Sequence, residues 1–385
     1  MSRGLARAAV AAAGLIAAGL IAGCGSQPAR PASPSPPPVT APLGTSLVTR
    51  QGIWAIAVMG GSAAAHNNFW QLFVRPANAS RWSLVTPPGV ADNGGLVAAA
   101  AAGGALTVGF RPSQDLTYSP LATSTDAGRT WTPGLLDAAL ASTPGAIAVS
   151  RSGRILALLQ DGTITAAATT GAAAAGRWTQ LATRTALAAS VPGRKCGLAG
   201  VNAVSFGPNN DPMAAGGCAR PGAAGVFTDA GGTWRSAGLT LPGKAGVQVL
   251  GLAATAGGNV ALLAAGDEEF AAWWNGTRWT VSGPAAPGTV RALGFGSDGS
   301  AWVLGGSGRV AVIGGAGASW QALPSVPAGT QVLAPPGTAT LAPGVSGSYD
   351  ALAVAGSKLT VWRLTGRAWT KVQLITVPVQ YGSSS

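Results

Sequence analysis

Two segments of the chain share one eight-residue pattern, Ser124-Thr-Asp-Ala-Gly-Arg-Thr-Trp131 and Phe227-Thr-Asp-Ala-Gly-Gly-Thr-Trp234. The composition is that of a hairpin. An aspartate can accept hydrogen bonds from the backbone of a turn, a glycine permits a positive φ, and a tryptophan can anchor the returning strand. The second segment departs from the pattern only at its first position. The residues expected to shape the two turns are Ser124, Asp126, Gly128, Thr130 and Trp131 in the first, and Asp229, Gly231, Thr233 and Trp234 in the second.

A tryptophan follows a polar or glycine-rich turn at five further places. These weaker copies end at Trp82, Trp178, Trp279, Trp320 and Trp369. With Trp131 and Trp234 included, the successive separations are 49, 47, 56, 45, 41 and 49 residues. A repeat of about 40–50 residues made of short strands is typical of propeller blades.

The stretches between the tryptophans predict four strands in each repeat, because they are short alternating or apolar runs bounded by Gly, Asp and Pro. The predicted strands are Val201–Phe206, Pro212–Gly216, Gly225–Thr228 and Thr233–Ser236 in the fourth repeat, and Val290–Phe295, Ala301–Leu304, Val310–Ile313 and Ser319–Leu323 in the sixth. The last repeat has the same rhythm. The sequence therefore predicts an all-β fold over residues 44–385, a β-propeller of seven four-stranded blades. A propeller of six or eight blades, a β-solenoid and a pair of sandwiches are the alternatives.

The pattern Ser-x-Asp-x-Gly-x-Thr-Trp resembles the Asp-box, also called the bacterial neuraminidase repeat. Phe227 is the one departure from it. The resemblance extends over most of the chain after residue 43 and implies a propeller similar to those of the sialidase superfamily. That superfamily includes sialidases and other glycosidases, photosystem assembly-factor propellers and many binding scaffolds. The Asp-box marks a hairpin, not an active site, so the fold does not determine the function.

The N-terminus has the features of an export signal. A basic start at residues 1–7 precedes Ala8–Ala22, an apolar run of 15 residues. That run is shorter than the roughly 20 residues of a spanning helix and fits the core of a signal peptide. It ends in Leu20-Ile-Ala-Gly-Cys24, which resembles the lipobox of bacterial lipoproteins, although Ile21 stands where that family usually has Leu. An ordinary signal peptide followed by a chance cysteine is the alternative.

The lipobox resemblance implies that residues 1–23 are removed and that Cys24 receives diacylglycerol. The chain would then be held by its acyl chains on the outer face of the bacterial cytoplasmic membrane. Residues 24–43 are rich in Pro and Ser, so we expect an extended tether of about 3.1 Å per residue. The three predicted segments are thus a signal peptide (1–23), a tether (24–43) and the propeller (44–385).

The charge of the chain restricts its partners. The formal net charge is +12, yet only Arg194 and Lys195 are adjacent cations. Nucleic-acid binders concentrate Lys and Arg in a run or on one face, so we expect no nucleic-acid partner. An anionic lipid surface or wall polymer would fit this charge better, and a general contribution to solubility is the alternative.

Only two cysteines follow Cys24. Cys196 is expected to open the innermost strand of the fourth repeat, and Cys218 to close its second strand. Antiparallel neighbours bring such ends together, and an oxidising exterior would let them pair. The sequence predicts a Cys196–Cys218 disulfide, with two buried thiols as the alternative.

A sialidase-like site would need an arginine triad, a tyrosine nucleophile with a glutamate base, and an aspartate acid. Ser348-Tyr349-Asp-Ala-Leu352 loosely resembles the sialidase Tyr-Ser-x-Leu segment. Phe110-Arg111-Pro112 loosely resembles the sialidase Phe/Tyr-Arg-Ile-Pro segment but lacks its Ile. The other tyrosines are Tyr118 and Tyr381, and the glutamates are Glu268 and Glu269. These residues come from separate repeats, so we expect no catalytic residues of this kind.

Other chemistry has less support. His66 is the single histidine, in a polar turn, and we expect no metal site. Asp267-Glu268-Glu269 and Asn209-Asn210-Asp211 are expected to be solvated turns. Trp273-Trp274 predicts one ring in the core and one facing outward. No glycine-rich dinucleotide motif follows a strand, so no cofactor is expected.

The sequence therefore favours a non-catalytic, monomeric propeller that binds another exported protein or an anionic wall polymer. The alternative is a glycoside hydrolase that uses the central face of the propeller.

Overall fold

The computed structural model describes residues 44–61, 68–87, 95–100, 104–110, 121–133, 144–167, 178–336 and 348–378. No helix within these ranges is long and apolar enough to cross a membrane. The predicted signal peptide and tether lie outside the described residues, together with Cys24, His66, Arg111, Tyr118 and Tyr381.

The described chain forms strands in seven consecutive groups of four. Group 1 contains β1 (Gly44–Thr49), β2 (Gly52–Gly60), β3 (Asn68–Pro76) and β4 (Ser83–Leu84), and group 2 contains β5 (Leu96–Ala100), β6 (Leu106–Phe110), β7 (Leu121–Ser124) and β8 (Thr132–Pro133). Group 3 contains β9 (Ala146–Val149), β10 (Ile155–Leu158), β11 (Ile164–Ala167) and β12 (Thr179–Ala182), and group 4 contains β13 (Leu198–Phe206), β14 (Pro212–Cys218), β15 (Gly225–Ala230) and β16 (Thr233–Ser236).

Group 5 contains β17 (Gln248–Thr255), β18 (Gly258–Ala265), β19 (Glu268–Trp274) and β20 (Trp279–Val281), and group 6 contains β21 (Val290–Phe295), β22 (Ala301–Gly305), β23 (Val310–Ile313) and β24 (Gln321–Leu323). Group 7 contains β25 (Thr330–Ala334), β26 (Asp350–Ala355), β27 (Lys358–Thr365) and β28 (Ala368–Thr376). Two helices, α1 (Arg184–Ala189) and α2 (Val191–Cys196), lie between groups 3 and 4.

Within each group the strands pair antiparallel in chain order. The predicted strands of the fourth and sixth repeats agree with these bounds to within three residues. Groups 1 and 6 are also joined to each other, because β1 and β21 pair in parallel from Gly44↔Ala292 to Leu47↔Phe295. The other five groups are separate sheets.

The hydrophobic core lies between neighbouring groups, so most strands are buried on both faces. One cluster, for example, joins groups 1 and 2 through Trp54, Leu72 and Val108, and the largest joins groups 6, 7 and 1. Burial on both faces explains why residues 260–265 of β18 form a continuous apolar run without a polar alternation.

Group 7 lies behind the junction of its two neighbours. Strand β25 packs against β1, β2 and β21. The hydroxyl of Ser46 on β1 donates a hydrogen bond to the Leu333 carbonyl at 2.8 Å. The side-chain amide of Gln331 forms two hydrogen bonds of 2.7 Å with the backbone of Val58. The parallel pair β1–β21 thus stands in front of β25.

The seven repeat tryptophans share one structural position. Each lies at the start of the fourth strand of its group or directly before it. The indole N–H of four of them donates to a carbonyl just beyond the fourth strand of the preceding group. These pairs are Trp131 with Val85, Trp279 with Ala237, Trp320 with Gly283 and Trp369 with Pro324, at 2.9–3.1 Å. The regular tryptophan spacing therefore reflects a repeated bond between neighbouring groups.

The first motif, residues 124–131, folds as the sequence predicts. Asp126 accepts hydrogen bonds from the backbone N–H of Thr130 at 2.9 Å and from the Thr130 hydroxyl at 2.6 Å. The hydroxyl of Ser124 accepts one from Gly128 N–H at 2.9 Å. Ala127 and Gly128 both have positive φ angles. The side-chain and backbone hydrogen bonds of Thr130 hold the pKa of Asp126 at about 2.

The second motif, residues 227–234, forms a different turn. Asp229 lies within β15 opposite Trp234, and Gly231 and Gly232 make a two-residue turn in which both φ angles are positive. The first motif has Arg129 where the second has Gly232, and a turn with two positive φ angles strongly prefers glycine or asparagine. Asp229 lies in the strand rather than in this turn, and its buried Oδ1 has no hydrogen-bond partner among the described residues.

The helices that precede group 4 were not predicted. Ser190 ends α1, and its hydroxyl accepts the N–H of Gly193 in α2 at 3.1 Å. The Cα atoms of Cys196, at the end of α2, and Cys218, at the end of β14, are 5.2 Å apart, with their sulfur atoms in bonding contact. The pair is therefore positioned to form the predicted disulfide.

Candidate binding cavity

A cavity of about 1140 Å³ lies among the first strands of six groups. This volume slightly exceeds the roughly 300–1,000 Å³ of ordinary small-molecule pockets. Its walls are formed by β1, β5, β9, β13, β17 and β21. Strand β25 does not line the cavity, because the β1–β21 pair stands in front of it. The cavity wall therefore contains six strands although the described chain has seven groups.

The walls of the cavity are mostly small or apolar side chains with a few neutral polar ones. Ala98, Ala148 and Gly251 are among the small residues, and Asn202 and Gln248 are polar. Strands β5, β9, β13 and β17 each end their own sheet, so one edge of each has no strand partner among the described residues. The backbone N–H and C=O groups on such an edge need water or a ligand as partner.

The first strands of the groups run in the same direction along the cavity, so equivalent turns of different groups lie at the same end. Turns between first and second strands meet each other, as Ala256 N–H donates to Ser297 of the next group at 3.3 Å. Turns between second and third strands also meet, as Gly60 N–H donates to Gly356 at 2.9 Å. We call the end at which first strands begin the upper end and the end at which they finish the lower end.

Charged side chains mark the two ends of the cavity with opposite signs. Arg50 directly follows β1, and Arg151 lies two residues after the end of β9, both at the lower end. Asp267 lies in the turn between β18 and β19, and Glu269 is the second residue of β19, both at the upper end. A ligand along the cavity would therefore meet cations at one end and carboxylates at the other.

Glu269 differs from its expected place in a solvated turn, because it lies in β19 and is only 3% exposed. Its backbone forms two hydrogen bonds with Ala285, at 2.8 and 2.9 Å. Burial, with the nearby charges of Asp267 and Glu268, raises the pKa of Glu269 to about 7. Its Oε2 has no hydrogen-bond partner, whereas Glu268 forms an ion pair with Lys244. Adjacent strand residues face opposite ways, so only one of these two glutamates is solvated.

The arginine–carboxylate cluster in the described chain lies outside the cavity, at the contact of groups 1 and 7. Asp350 is fully buried and accepts hydrogen bonds from Arg75 at 2.8 Å, from Arg363 at 2.8 and 3.0 Å, and from the Trp82 indole at 2.9 Å. The hydrogen bond to Asp350 raises the pKa of Arg363, while burial lowers that of Arg75. Neither sequence pattern nor spacing indicated this cluster.

The side chains considered for sialidase chemistry pack in the core or bond to the backbone. Tyr349 packs against the core between groups 6, 7 and 1, and burial raises its pKa. Arg291 donates to the carbonyls of Thr330 and Gly306. No side-chain hydrogen bond or ion pair within the described ranges joins Tyr349 to an arginine or glutamate. Of the Trp273-Trp274 pair, Trp273 is buried, and Trp274 is half-buried and packs on Trp279 with ring centroids 5.5 Å apart.

The described residues contain no group of three His, Cys, Asp or Glu side chains that could hold a metal ion. No protein-family model matches the sequence, and no curated protein matches it.

Solved structures show the class of fold. The chain is similar to the periplasmic gluconolactonase of Pseudomonas aeruginosa, with 14% identity and a TM-score of 0.50 over 85% of this chain and 97% of that one. It is also similar to YCF48 from Cyanidioschyzon merolae, with 14% identity and a TM-score of 0.47 over 83% and 94% of the two chains. The lectin of Aleuria aurantia, described as a six-bladed β-propeller, gives 14% identity and a TM-score of 0.40 over 89% and 96%. The protein is an all-β propeller.

Proposed function

We propose that this protein is an exported lipoprotein, held through Cys24 on the outer face of the bacterial cytoplasmic membrane. Its seven-bladed propeller binds a segment of another exported protein in the central cavity and does not catalyse a reaction. The seven groups of four strands support the blade number. The cavity wall has only six strands because group 7 lies behind the β1–β21 pair. The resemblance of Leu20–Cys24 to a lipobox supports the anchor.

The observation that carries the binding function is the row of strand edges around the cavity. Four first strands have one edge with no strand partner among the described residues, and the side chains between the two ends of the cavity are small, apolar or neutral polar. An extended peptide has alternating backbone donors and acceptors that can pair with such edges, while its side chains occupy the space between them. The opposite charges at the two ends would fix the direction of a peptide.

The alternative, a sialidase-like hydrolase, has weaker support. Retaining chemistry of that kind needs a nucleophile beside a base and cations that converge on a substrate carboxylate. Arg75 and Arg363 are instead committed to the buried Asp350, where they join groups 1 and 7. The gluconolactonase likeness concerns the fold alone, so it adds nothing to an enzymatic reading.

The experiment places a photo-crosslinking amino acid at Ala98, which lines the cavity, in cells that express the full chain. The matched control places it at Ala318, an exposed alanine in the turn between β23 and β24. We expect a discrete adduct with another exported protein from position 98, identified by mass spectrometry, and none from position 318. Equal adducts from both positions, or none from position 98, would contradict binding in the cavity.

A further inference from the structure

Three exposed cations surround the Cys196–Cys218 pair at the upper end of group 4. Arg194 and Lys195 lie on α2, and Arg220 lies in the turn after β14. The backbone N–H of Arg220 donates to the Cys196 carbonyl at 3.1 Å, so the helix and the turn are held together. With Val191, also on α2, these residues form what we call the basic patch.

The cations of the basic patch have no acidic partner. The ion pairs of the described residues involve Arg75, Lys244 and Arg363, and none of the patch. The guanidinium of Arg194 donates to the Ala189 carbonyl, which leaves its charge unneutralised. The sequence has no Asp or Glu between positions 161 and 211 or between positions 211 and 229. No ion pair within the described residues therefore neutralises the three cations of the patch.

Val191 gives the basic patch an apolar component. Its side chain is 70% exposed, more than any other large apolar side chain in the described residues. A soluble polyanion needs only charge from its binder, whereas a bilayer surface accepts both cations at its headgroups and an apolar side chain at the acyl boundary. The combination favours an anionic lipid surface over a wall polymer.

The start of the described chain lies at the same end as the basic patch. Gly44 begins β1 at the upper end, and the segment 183–197, which leads into β13, lies at the upper end of group 4. The 20 residues from Cys24 to position 43 therefore join the propeller at this end. An acyl chain on Cys24 would therefore tether the propeller to the bilayer from its upper end.

We propose that the basic patch docks the upper end of the propeller on anionic phospholipid headgroups. This inference rests on the lipid anchor of the proposed function and extends it, because docking sets the orientation of the cavity. The upper end, at which Asp267 and Glu269 line the cavity, then faces the membrane. Arg50 and Arg151 face away from it, at the open end where an exported partner enters.

The experiment uses residues 24–385 with Cys24→Ser, so that binding does not depend on an acyl chain. Sedimentation with vesicles of phosphatidylglycerol and phosphatidylcholine is compared with sedimentation with vesicles of phosphatidylcholine alone. We expect binding to the anionic vesicles only. Since each cation near an anionic surface contributes about 1 kcal/mol, removing one should weaken binding about fivefold and the triple variant Arg194→Ala/Lys195→Ala/Arg220→Ala about 100-fold.

Two further variants make this experiment specific. Arg235→Ala/Arg278→Ala/Arg367→Ala removes three exposed arginines at or near the lower-end turns and should bind like the parent chain. Val191→Ser should weaken vesicle binding roughly tenfold while leaving binding to soluble polyglutamate unchanged. Absent binding to anionic vesicles, equal loss in both triple variants, or an unaffected Val191→Ser variant would overturn membrane docking. Cys24 lipidation is measured separately, so failure of the anchor and failure of the patch are distinguishable.

Discussion

At the residue scale, Asp350 shows how a buried charge can specify a contact between distant parts of the chain. Asp350 brings Arg75 of group 1 and Arg363 of group 7 together, and both of its carboxylate oxygens accept hydrogen bonds. Removing one partner of such a set leaves an uncompensated buried charge, which typically costs about 3–5 kcal/mol. The cluster therefore joins the first and last groups, and loss of one partner should destabilise their contact.

Glu269 provides a prediction on pH dependence. Its pKa in the folded state is raised to about 7 by burial and by Asp267 and Glu268, so the folded state holds a proton that the unfolded chain releases near pH 4.5. Stability should therefore fall as the pH rises from about 4.5 to about 7 and then level off. Glu269→Gln removes this loss.

We expect urea denaturation to show Glu269→Gln more stable than the parent chain at pH 8 and equal to it at pH 4. The matched control is Glu268→Gln, because Glu268 is half-exposed and paired with Lys244. A Glu269→Gln variant that is destabilised at pH 8 would mean that the carboxylate makes a stabilising contact in its ionised form.

Little of this residue-level picture could be predicted from sequence. Asp126 was predicted correctly, because its hydrogen bonds are local and follow from turn chemistry. The role of Asp350 depends on a partner, Arg75, that is far away in the chain. The burial of Glu269 depends on which face of β19 each of two adjacent glutamates occupies. No local pattern indicates which of two adjacent glutamates faces inward.

At the element scale, the seven repeat tryptophans, which we call the tryptophan ladder, allow a matched test of the hydrogen bonds between neighbouring groups. The Trp369 indole donates to Pro324 at 3.1 Å, whereas the buried indole nitrogen of Trp234 has no partner. Both side chains are half-buried at the start of a fourth strand. Removing a hydrogen bond and leaving its acceptor unpaired costs about 1 kcal/mol.

We therefore expect Trp369→Phe to lower the free energy of unfolding by about 1 kcal/mol more than Trp234→Phe, measured by urea denaturation. The two substitutions remove similar ring area, so their difference isolates the hydrogen bond. Equal losses would show that the ladder acts through packing alone.

The Cys196–Cys218 pair supports a second prediction at this scale. Peptide mapping of exported protein without reductant should find the two peptides linked, and reduction should lower stability by roughly 3 kcal/mol. Alkylation of both cysteines in the folded, exported protein would contradict a disulfide.

Strands could be predicted well where the chain alternates between short apolar runs and turn residues, as in groups 4 and 6. The helices α1 and α2 could not, because six residues are too few to show a helical period. The two eight-residue motifs were expected to fold alike, yet one glycine, Gly232, is enough to allow a tighter turn in the second.

For the whole molecule, the repeat spacing predicts a propeller, but it cannot predict how the ring closes. Closure depends on long-range contacts, namely the β1–β21 pair, the Asp350 cluster and two glutamines that each bond to the backbone of group 1. Gln331 bonds to Val58, and Gln373 to Trp82. A tryptophan ladder treats every repeat as equivalent, whereas these contacts set group 7 apart.

The proposed membrane anchor belongs to the same scale. Cys24→Ala should abolish labelling by a fatty-acid analogue and leave unprocessed precursor, because the acylated cysteine is required for processing at a lipobox. A Ser26→Ala variant is the control, since it lies beyond the lipobox. Equal labelling of Cys24→Ala and the parent chain would contradict lipidation.

The central claim is that β1 and β21 pair in front of β25, so that six first strands enclose the cavity. Gly44 and Ala292 are partners in this pair, and neighbouring strands place their Cα atoms within the roughly 4.4–6.8 Å that a disulfide spans. The most direct measurement is therefore disulfide mapping of Gly44→Cys/Ala292→Cys after mild oxidation. Gly44→Cys/Val149→Cys is the control, because Val149 lies on β9, which does not pair with β1. We predict a bond between positions 44 and 292 and none between 44 and 149. Cysteines 44 and 292 that stay unlinked in folded protein would contradict the account.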